Sequence, residues 1–220
     1  MTDIWYTRMD NITGDMVNRY FETLSPEMKQ EVLRYKQESD RKSRILARRT
    51  VNLYLEQNVN TGANMKFLLG ENKKPYLPDG PCFNISHSGN YVMVGFSEQP
   101  VGVDIEEKRD IEWKLIASHF HEAEQEYIDQ DDDKANRFYR VWARKEAYLK
   151  ANGVGILKGL KTVNALEDLI IDEKGAWHLY DVEIDPGYAS AVCTPVPPEK
   201  HTIQFKNINS LLTISHAKEN

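Results

Sequence analysis

Cysteine is scarce in this chain. Cys82 and Cys193 are the only two in 220 residues. That is too few for a disulfide framework, and they stand too far apart for a zinc site. No run of about 18 apolar residues occurs, so no membrane span is expected. The opening MTDIWYTRMD carries Asp3, Arg8 and Asp10, which break the apolar core a secretory signal needs. With 40% hydrophobic and 28% charged residues, disordered and collagen-like classes are excluded. The expectation is a soluble, reduced, cytoplasmic globular protein, long enough for one large domain or two small ones.

Charge is present but unevenly spread. The net charge of −6 disfavours general binding to nucleic acid. Beneath it lies a basic block, Arg34, Lys36, Arg41, Lys42, Arg44, Arg48 and Arg49, and an acidic block between Asp104 and Asp133. Residues 40–57, DRKSRILARRTVNLYLEQ, have helical periodicity, with Asp40 suited to cap the start. Arg41, Arg44 and Arg48 then share one face, while Leu46, Thr50, Leu53 and Tyr54 look toward a core. Three guanidiniums on one stripe suit an anion such as a polyphosphate.

Two segments repeat a device. NISHSGNYVMVGF (84–96) and DPGYASAVCT (185–194) each place a glycine and a tyrosine before an apolar strand. The fold class expected is therefore α+β, a duplication of two similar halves, 1–100 and 101–220. The turn Ser97–Pro100 separates the halves, and no Gly/Ser linker lets them swing. The second half reads as a strand over 101–106, a helix over about 112–128, an acidic loop, and a helix over about 135–152 stopped by Gly153 and Gly155. Antiparallel strands are expected from Thr162 onward, and a frayed polar tail over the last ten residues.

Three segments could carry chemistry. In VGVDIEE (101–107), Val101, Val103 and Ile105 share one strand face, and Asp104 and Glu106 project together from the other. Paired carboxylates suit a hard divalent cation, or they are ordinary acids on an exposed edge. In WARKEAYLK (142–150), Trp142, Glu146 and Lys150 recur every fourth residue. Glu146 and Lys150 could form a simple surface pair. They could equally supply a third metal carboxylate and a cation for a leaving phosphate. His87, in the Ser- and Gly-rich turn NISHSG, is either a structural histidine or part of an anion site.

Together these segments resemble the surfactin-synthetase-activating type of 4′-phosphopantetheinyl transferase. The resemblance rests on Gly102-Val103-Asp104-Ile105-Glu106, on Trp142-Ala143-Arg144-Lys145-Glu146-Ala147-Tyr148-Leu149-Lys150, on Lys74-Pro75, and on Asn84 to Ser88. Ser25-Pro26-Glu27 and Asp185-Pro186-Gly187-Tyr188 extend it over nearly the whole chain. It implies a pseudo-twofold pair of α+β halves with coenzyme A bound in the cleft between them, and transfer of phosphopantetheine from coenzyme A to a serine of an apo acyl or peptidyl carrier protein, with release of adenosine 3′,5′-bisphosphate. Such carriers serve fatty-acid, polyketide and non-ribosomal peptide synthesis.

By the same resemblance, Asp104, Glu106 and Glu146 would hold Mg²⁺, and Glu146 and Lys150 would be catalytic. Arg44, Lys74, Ser86, His87, Lys145 and Lys150 would contact coenzyme A. The first half would take the adenosine and its 3′-phosphate, the second the metal. Glu146 is the first candidate for the base that removes the serine proton and Glu124 the second. Ile111, Trp113 and Ile116 would belong to the carrier-docking surface. A duplicated chain builds its own cleft, so a monomer is expected. Two other readings use the same residues: a Mg²⁺-dependent phosphodiesterase, and a catalytically silent transferase-like binding subunit.

Overall fold

The protein is described from a computed structural model covering residues 1–10, 12–59, 67–70, 74–155 and 159–206. Chain order begins with strand β1 (Thr2–Arg8) and helices α1 (Gly14–Glu22), α2 (Pro26–Leu33) and α3 (Glu38–Asn58). Strands β2 (Leu68–Leu69), β3 (Pro75–Tyr76), β4 (Cys82–Ser88) and β5 (Tyr91–Ser97) follow. The second half opens with β6 (Gly102–Glu107), then α4 (Trp113–Ala117), α5 (Glu122–Asp129) and α6 (Lys134–Asn152). It ends with β7 (Leu169–Asp172), β8 (Gly175–Asp181), β9 (Tyr188–Thr194) and β10 (His201–Phe205).

Two four-stranded sheets, ordered β10-β1-β5-β4 and β6-β9-β8-β7, form the centre of this α+β fold, with β2 and β3 as a small separate pair. The strand after residue 200 pairs parallel with β1, so the cut at residue 100 is not clean: the second half lends β10 to the first sheet. β5 is buried along its whole length because both of its faces are covered. Val92, Val94 and Phe96 meet Leu46, Ala47 and Val51 of α3. Tyr91 and Met93 instead join Ile4, Val103, Ile105 and Val192 in a core between the sheets. On the far side, Ala143, Ala147 and Ala151 of α6 pack on Leu179, Ala191 and Cys193.

Local signals explain the element ends. Ser25 caps α2 with Pro26 at its first turn, and Asp133 caps α6. α6 stops where Gly153 adopts a φ of 79°, a conformation that favours glycine. α3 starts earlier than expected, at Glu38, with Gln37 rather than Asp40 in the cap position. Glu38 and Asp40 both lie in its first turn, where carboxylates favour the helix dipole.

The single helix expected over 112–128 is instead two. His121 breaks it with a reciprocal cap: its ring nitrogen Nδ1 accepts from Ala123 N–H, and the Glu124 carboxylate accepts from His121 N–H. The break turns Phe120 inward, where it stacks on Phe138 and Trp142 of α6. The polar C-terminal tail falls outside the described residues.

Candidate active site

The site begins with a close approach. A Cβ on Gly102 would overlap the Ala147 carbonyl and lie 2.5 Å from Ala151 N, so only glycine lets α6 settle this near β6. The alternation of β6 then sends Val103 and Ile105 into the core between sheets, leaving Asp104 and Glu106 on the other face of the strand. From α6, Glu146 and Lys150 come to the same place. Lys150 Nζ lies 2.5 Å from Asp104 Oδ1 and donates to the Val103 carbonyl at 3.2 Å.

A polar seam carries the fourth wall. β4 and β6 are edges of different sheets and share no backbone ladder. Side-chain oxygens of β4 replace it: Asn84 Oδ1 accepts from Val103 N–H at 2.9 Å, Ser86 Oγ from Ile105 N–H at 3.3 Å, and Ser88 Oγ from Glu107 N–H at 3.0 Å. Lys74 Nζ completes the edge by donating to the carbonyls of Val101 at 3.2 Å and Lys150 at 2.7 Å. Asn84 and Ser88 carry part of the resemblance, but neither was given a site role from the sequence. Their signal was the spacing N-x-S-x-S, which puts three short polar side chains on one strand face.

The electrostatics are those of crowded carboxylates in a poorly solvated place. Burial raises the Glu146 carboxyl to about 7, and Asp104 beside it pushes the same way. Glu106 is also held above the ordinary carboxylate range by burial and then by Asp104, although it accepts hydrogen bonds from Trp142 Nε1 at 3.2 Å and Ser88 Oγ at 3.1 Å. Asp104 Oδ2 and Glu146 Oε1 are buried and have no hydrogen-bond partner. Orphaned buried carboxylate oxygens are costly, and they fit a hard cation. Among the described residues, no three acidic, His or Cys side chains stand already gathered as a metal cage. Lys150 holds Asp104, and Trp142 and Ser88 hold Glu106.

The expected coenzyme A contacts are placed unevenly. His87 is half-buried at the end of β4; burial lowers its pKa, and the nearby Arg44 guanidinium lowers it further. Arg44 is the exposed member of the stripe and stacks on the Tyr35 ring at 3.9 Å. Arg41 instead donates to the Tyr35 carbonyl at 2.6 Å, and Arg48 packs over Phe67 at 4.4 Å. The even three-arginine stripe is thus reduced to one outward guanidinium beside His87. Lys74 and Ser86 sit in the seam, bonded to protein.

Lys145 lies elsewhere altogether. It is fully buried, 2.6 Å from a fully buried Glu124. Its ammonium also donates to the Leu160 and Val163 carbonyls, and Glu124 accepts from Ala165 N–H and His121 N–H. Every strong bond of this pair is spent on fastening α5 and the segment 160–165 to α6. The Lys145 ammonium is thus engaged by Glu124 and two carbonyls, and three donors already occupy the Glu124 carboxylate. Trp113 is likewise half-buried and stacked on Phe138, while Ile111 and Leu115 are the exposed apolar residues nearby.

Comparison with known proteins follows the same segments. The profile of the 4′-phosphopantetheinyl transferase superfamily matches residues 100–193, which contain β6 and α6. The 4′-phosphopantetheinyl transferase Sfp of Bacillus subtilis (strain 168) is 28% identical over 206 residues, covering 88% of this chain and 92% of that protein. The 4′-phosphopantetheinyl transferase ffp of Bacillus subtilis is 33% identical over 170 residues, covering 71% of this chain and 75% of that one. The corresponding gsp protein of Aneurinibacillus migulanus is 28% identical over 204 residues, with 88% and 86% covered. On this breadth of likeness, the chain belongs to the 4′-phosphopantetheinyl transferase superfamily.

Proposed function

We propose that this chain moves the 4′-phosphopantetheine group of coenzyme A onto a serine of an apo acyl or peptidyl carrier protein, with Mg²⁺ as cofactor. The observation that carries this reading is the pair of orphaned buried oxygens, Asp104 Oδ2 and Glu146 Oε1, beside the Lys150 ammonium. Asp104, Glu106 and Glu146 would hold the ion. When bound, it neutralises charge on the pyrophosphate and makes the phosphorus more open to attack.

The chain's own groups supply the rest. Lys150 is 28% exposed and stabilises charge on the leaving phosphate. Arg44 and His87 take the 3′-phosphate end. The carrier's serine Oγ bonds to the phosphorus bearing pantetheine, the pyrophosphate P–O bond breaks, and adenosine 3′,5′-bisphosphate leaves. The serine proton passes to Glu146.

The two halves read as copies. β1, β5 and β4 lie in the order first strand, second hairpin strand, first hairpin strand, and β6, β9 and β8 repeat it, with α3 and α6 as the long helices. Their turns contact each other reciprocally. Tyr91 Oη donates to Asp185, in the turn before Tyr188, and Tyr188 Oη accepts from Asn90 N–H, in the turn before Tyr91. Such exchange of equivalent contacts is what a twofold relation produces. The first half then serves the adenosine end and the second the metal, within one monomer.

The test is intact-mass spectrometry of an acyl and a peptidyl apo carrier incubated with the protein, coenzyme A and Mg²⁺. One added phosphopantetheine, abolished by EDTA and by Asp104→Ala, supports the reading. No addition to either carrier, with hydrolysis of the coenzyme A pyrophosphate by water instead, would overturn it in favour of a phosphodiesterase-type hydrolase.

A further inference from the structure

The hydroxyls of Ser86 and Ser88 repeat one arrangement two residues apart. Ser86 Oγ accepts from Ile105 N–H at 3.3 Å and donates to Asp104 Oδ1 at 2.9 Å. Ser88 Oγ accepts from Glu107 N–H at 3.0 Å and donates to Glu106 Oε2 at 3.1 Å. A serine hydroxyl has one proton and two lone pairs. At Ser86 the second lone pair takes Lys150 Nζ at 3.2 Å, so this buried hydroxyl is saturated within the chain.

We propose that Ser86 and Ser88 are positioning residues that aim the carboxylates of Asp104 and Glu106. The backbone N–H of β6 aimed at each Oγ fixes which way its lone pair faces. The single proton is then directed onto the neighbouring carboxylate. Because the two serines and the two acids alternate in step on adjacent strands, one strand register sets both carboxylates at once. At Asp104 this arrangement engages Oδ1 with Ser86 and Lys150 and leaves Oδ2 without a partner. Outer partners of metal-holding carboxylates act in this way, and losing one costs about ten- to a hundredfold in metal affinity or activity.

The inference rests on the reading of Asp104 and Glu106 as metal-holding residues, so the experiment measures metal and nucleotide separately. Mn²⁺ is titrated into the protein alone and followed by electron paramagnetic resonance; adenosine 3′,5′-bisphosphate is titrated by calorimetry. Ser86→Ala and Ser88→Ala should each weaken Mn²⁺ by about ten- to a hundredfold. With metal affinity, kcat should fall in both variants. Ser86→Thr, which keeps the hydroxyl, should restore Mn²⁺ binding. If Ser86→Ala does not fold, the less buried Ser88 gives the same readings. Loss of bisphosphate affinity with Mn²⁺ binding intact would overturn the inference and make these serines nucleotide contacts. Asp104→Asn separates the two levels: if that variant binds Mn²⁺ like the parent, the metal reading fails and takes the inference with it.

Discussion

Glu146→Gln should make the metal-free protein more stable at pH 8, although it removes a residue assigned to catalysis. Glu146 is 5% exposed, and burial with Asp104 and Glu106 nearby raises its carboxyl from 4.5 to about 7. The unfolded chain releases this proton near 4.5, whereas the folded chain keeps it to about 7. Between those values the folded state binds more protons, so its stability falls as pH rises and the cost is complete above about 7. At about 1.36 kcal/mol per pH unit the full cost is about 3 kcal/mol. For a chain of this size that is a melting-temperature gain of roughly 6–12 °C for the variant at pH 8. At pH 4 the parent's advantage from the shift is intact, and the two proteins should melt close together. Glu106 is raised by the same causes, so the parent-minus-variant difference, and not the parent's curve alone, isolates Glu146. Thermal unfolding in EDTA across pH 4–8 supplies the data. Adding Mg²⁺ at pH 8 should then raise the parent's midpoint more than the variant's, because only the parent offers the third carboxylate. A variant that melts at or below the parent in EDTA at pH 8 would refute the picture of a buried, crowded carboxylate.

Three further perturbations separate the parts of the fold. Gly102→Ala should displace α6 from β6, since the new methyl would overlap the Ala147 carbonyl; overpacking of this kind costs about 1–3 kcal/mol or more, read by urea unfolding, with transfer activity lost alongside. Glu124→Ala and Lys145→Ala each leave an uncompensated buried charge worth about 3–5 kcal/mol, whereas Glu124→Leu combined with Lys145→Met should recover most of that stability; a double variant as unstable as either single one would deny the pair its structural role. His87→Ala should loosen adenosine 3′,5′-bisphosphate by about ten- to a hundredfold, the value of a hydrogen bond to a charged group, with little change in kcat at saturating coenzyme A; unchanged affinity by calorimetry would remove His87 from the site.

How much of this was legible in the sequence depends on what each residue's neighbours are. The strand 102–107 and the helix ending at Gly153 follow from alternation and from glycine punctuation, which are local, and both were readable. The seam was not. Pattern places Asn84, Ser86 and Ser88 on one face, but nothing local says that β6 lies beside them with its N–H groups unpaired. β10 is a similar case, since pairing with β1 spans nearly the whole chain.

Lys145 and Lys150 show the limit most sharply. Both are cations in one helical motif, and spacing alone cannot choose between them. Position on α6 can, once a reference direction is known. Ala143, Ala147 and Ala151 mark the face against the sheet. At about 100° per residue, Lys150 lies roughly 60° from Ala147, within reach of β6, whereas Lys145 lies roughly 160° away, almost opposite the sheet. On a two-layer fold that direction is solvent, and a long cation there could swing round toward a ligand. Here α5 covers it, because the break at His121 folds 122–129 back over α6 and delivers Glu124 to the Lys145 ammonium. The reading of 112–128 as one helix hid the element that buries Lys145. The helix break at His121 and the burial of Lys145 are therefore one feature: the element that starts at this capping histidine closes the outer face of α6 over the ammonium.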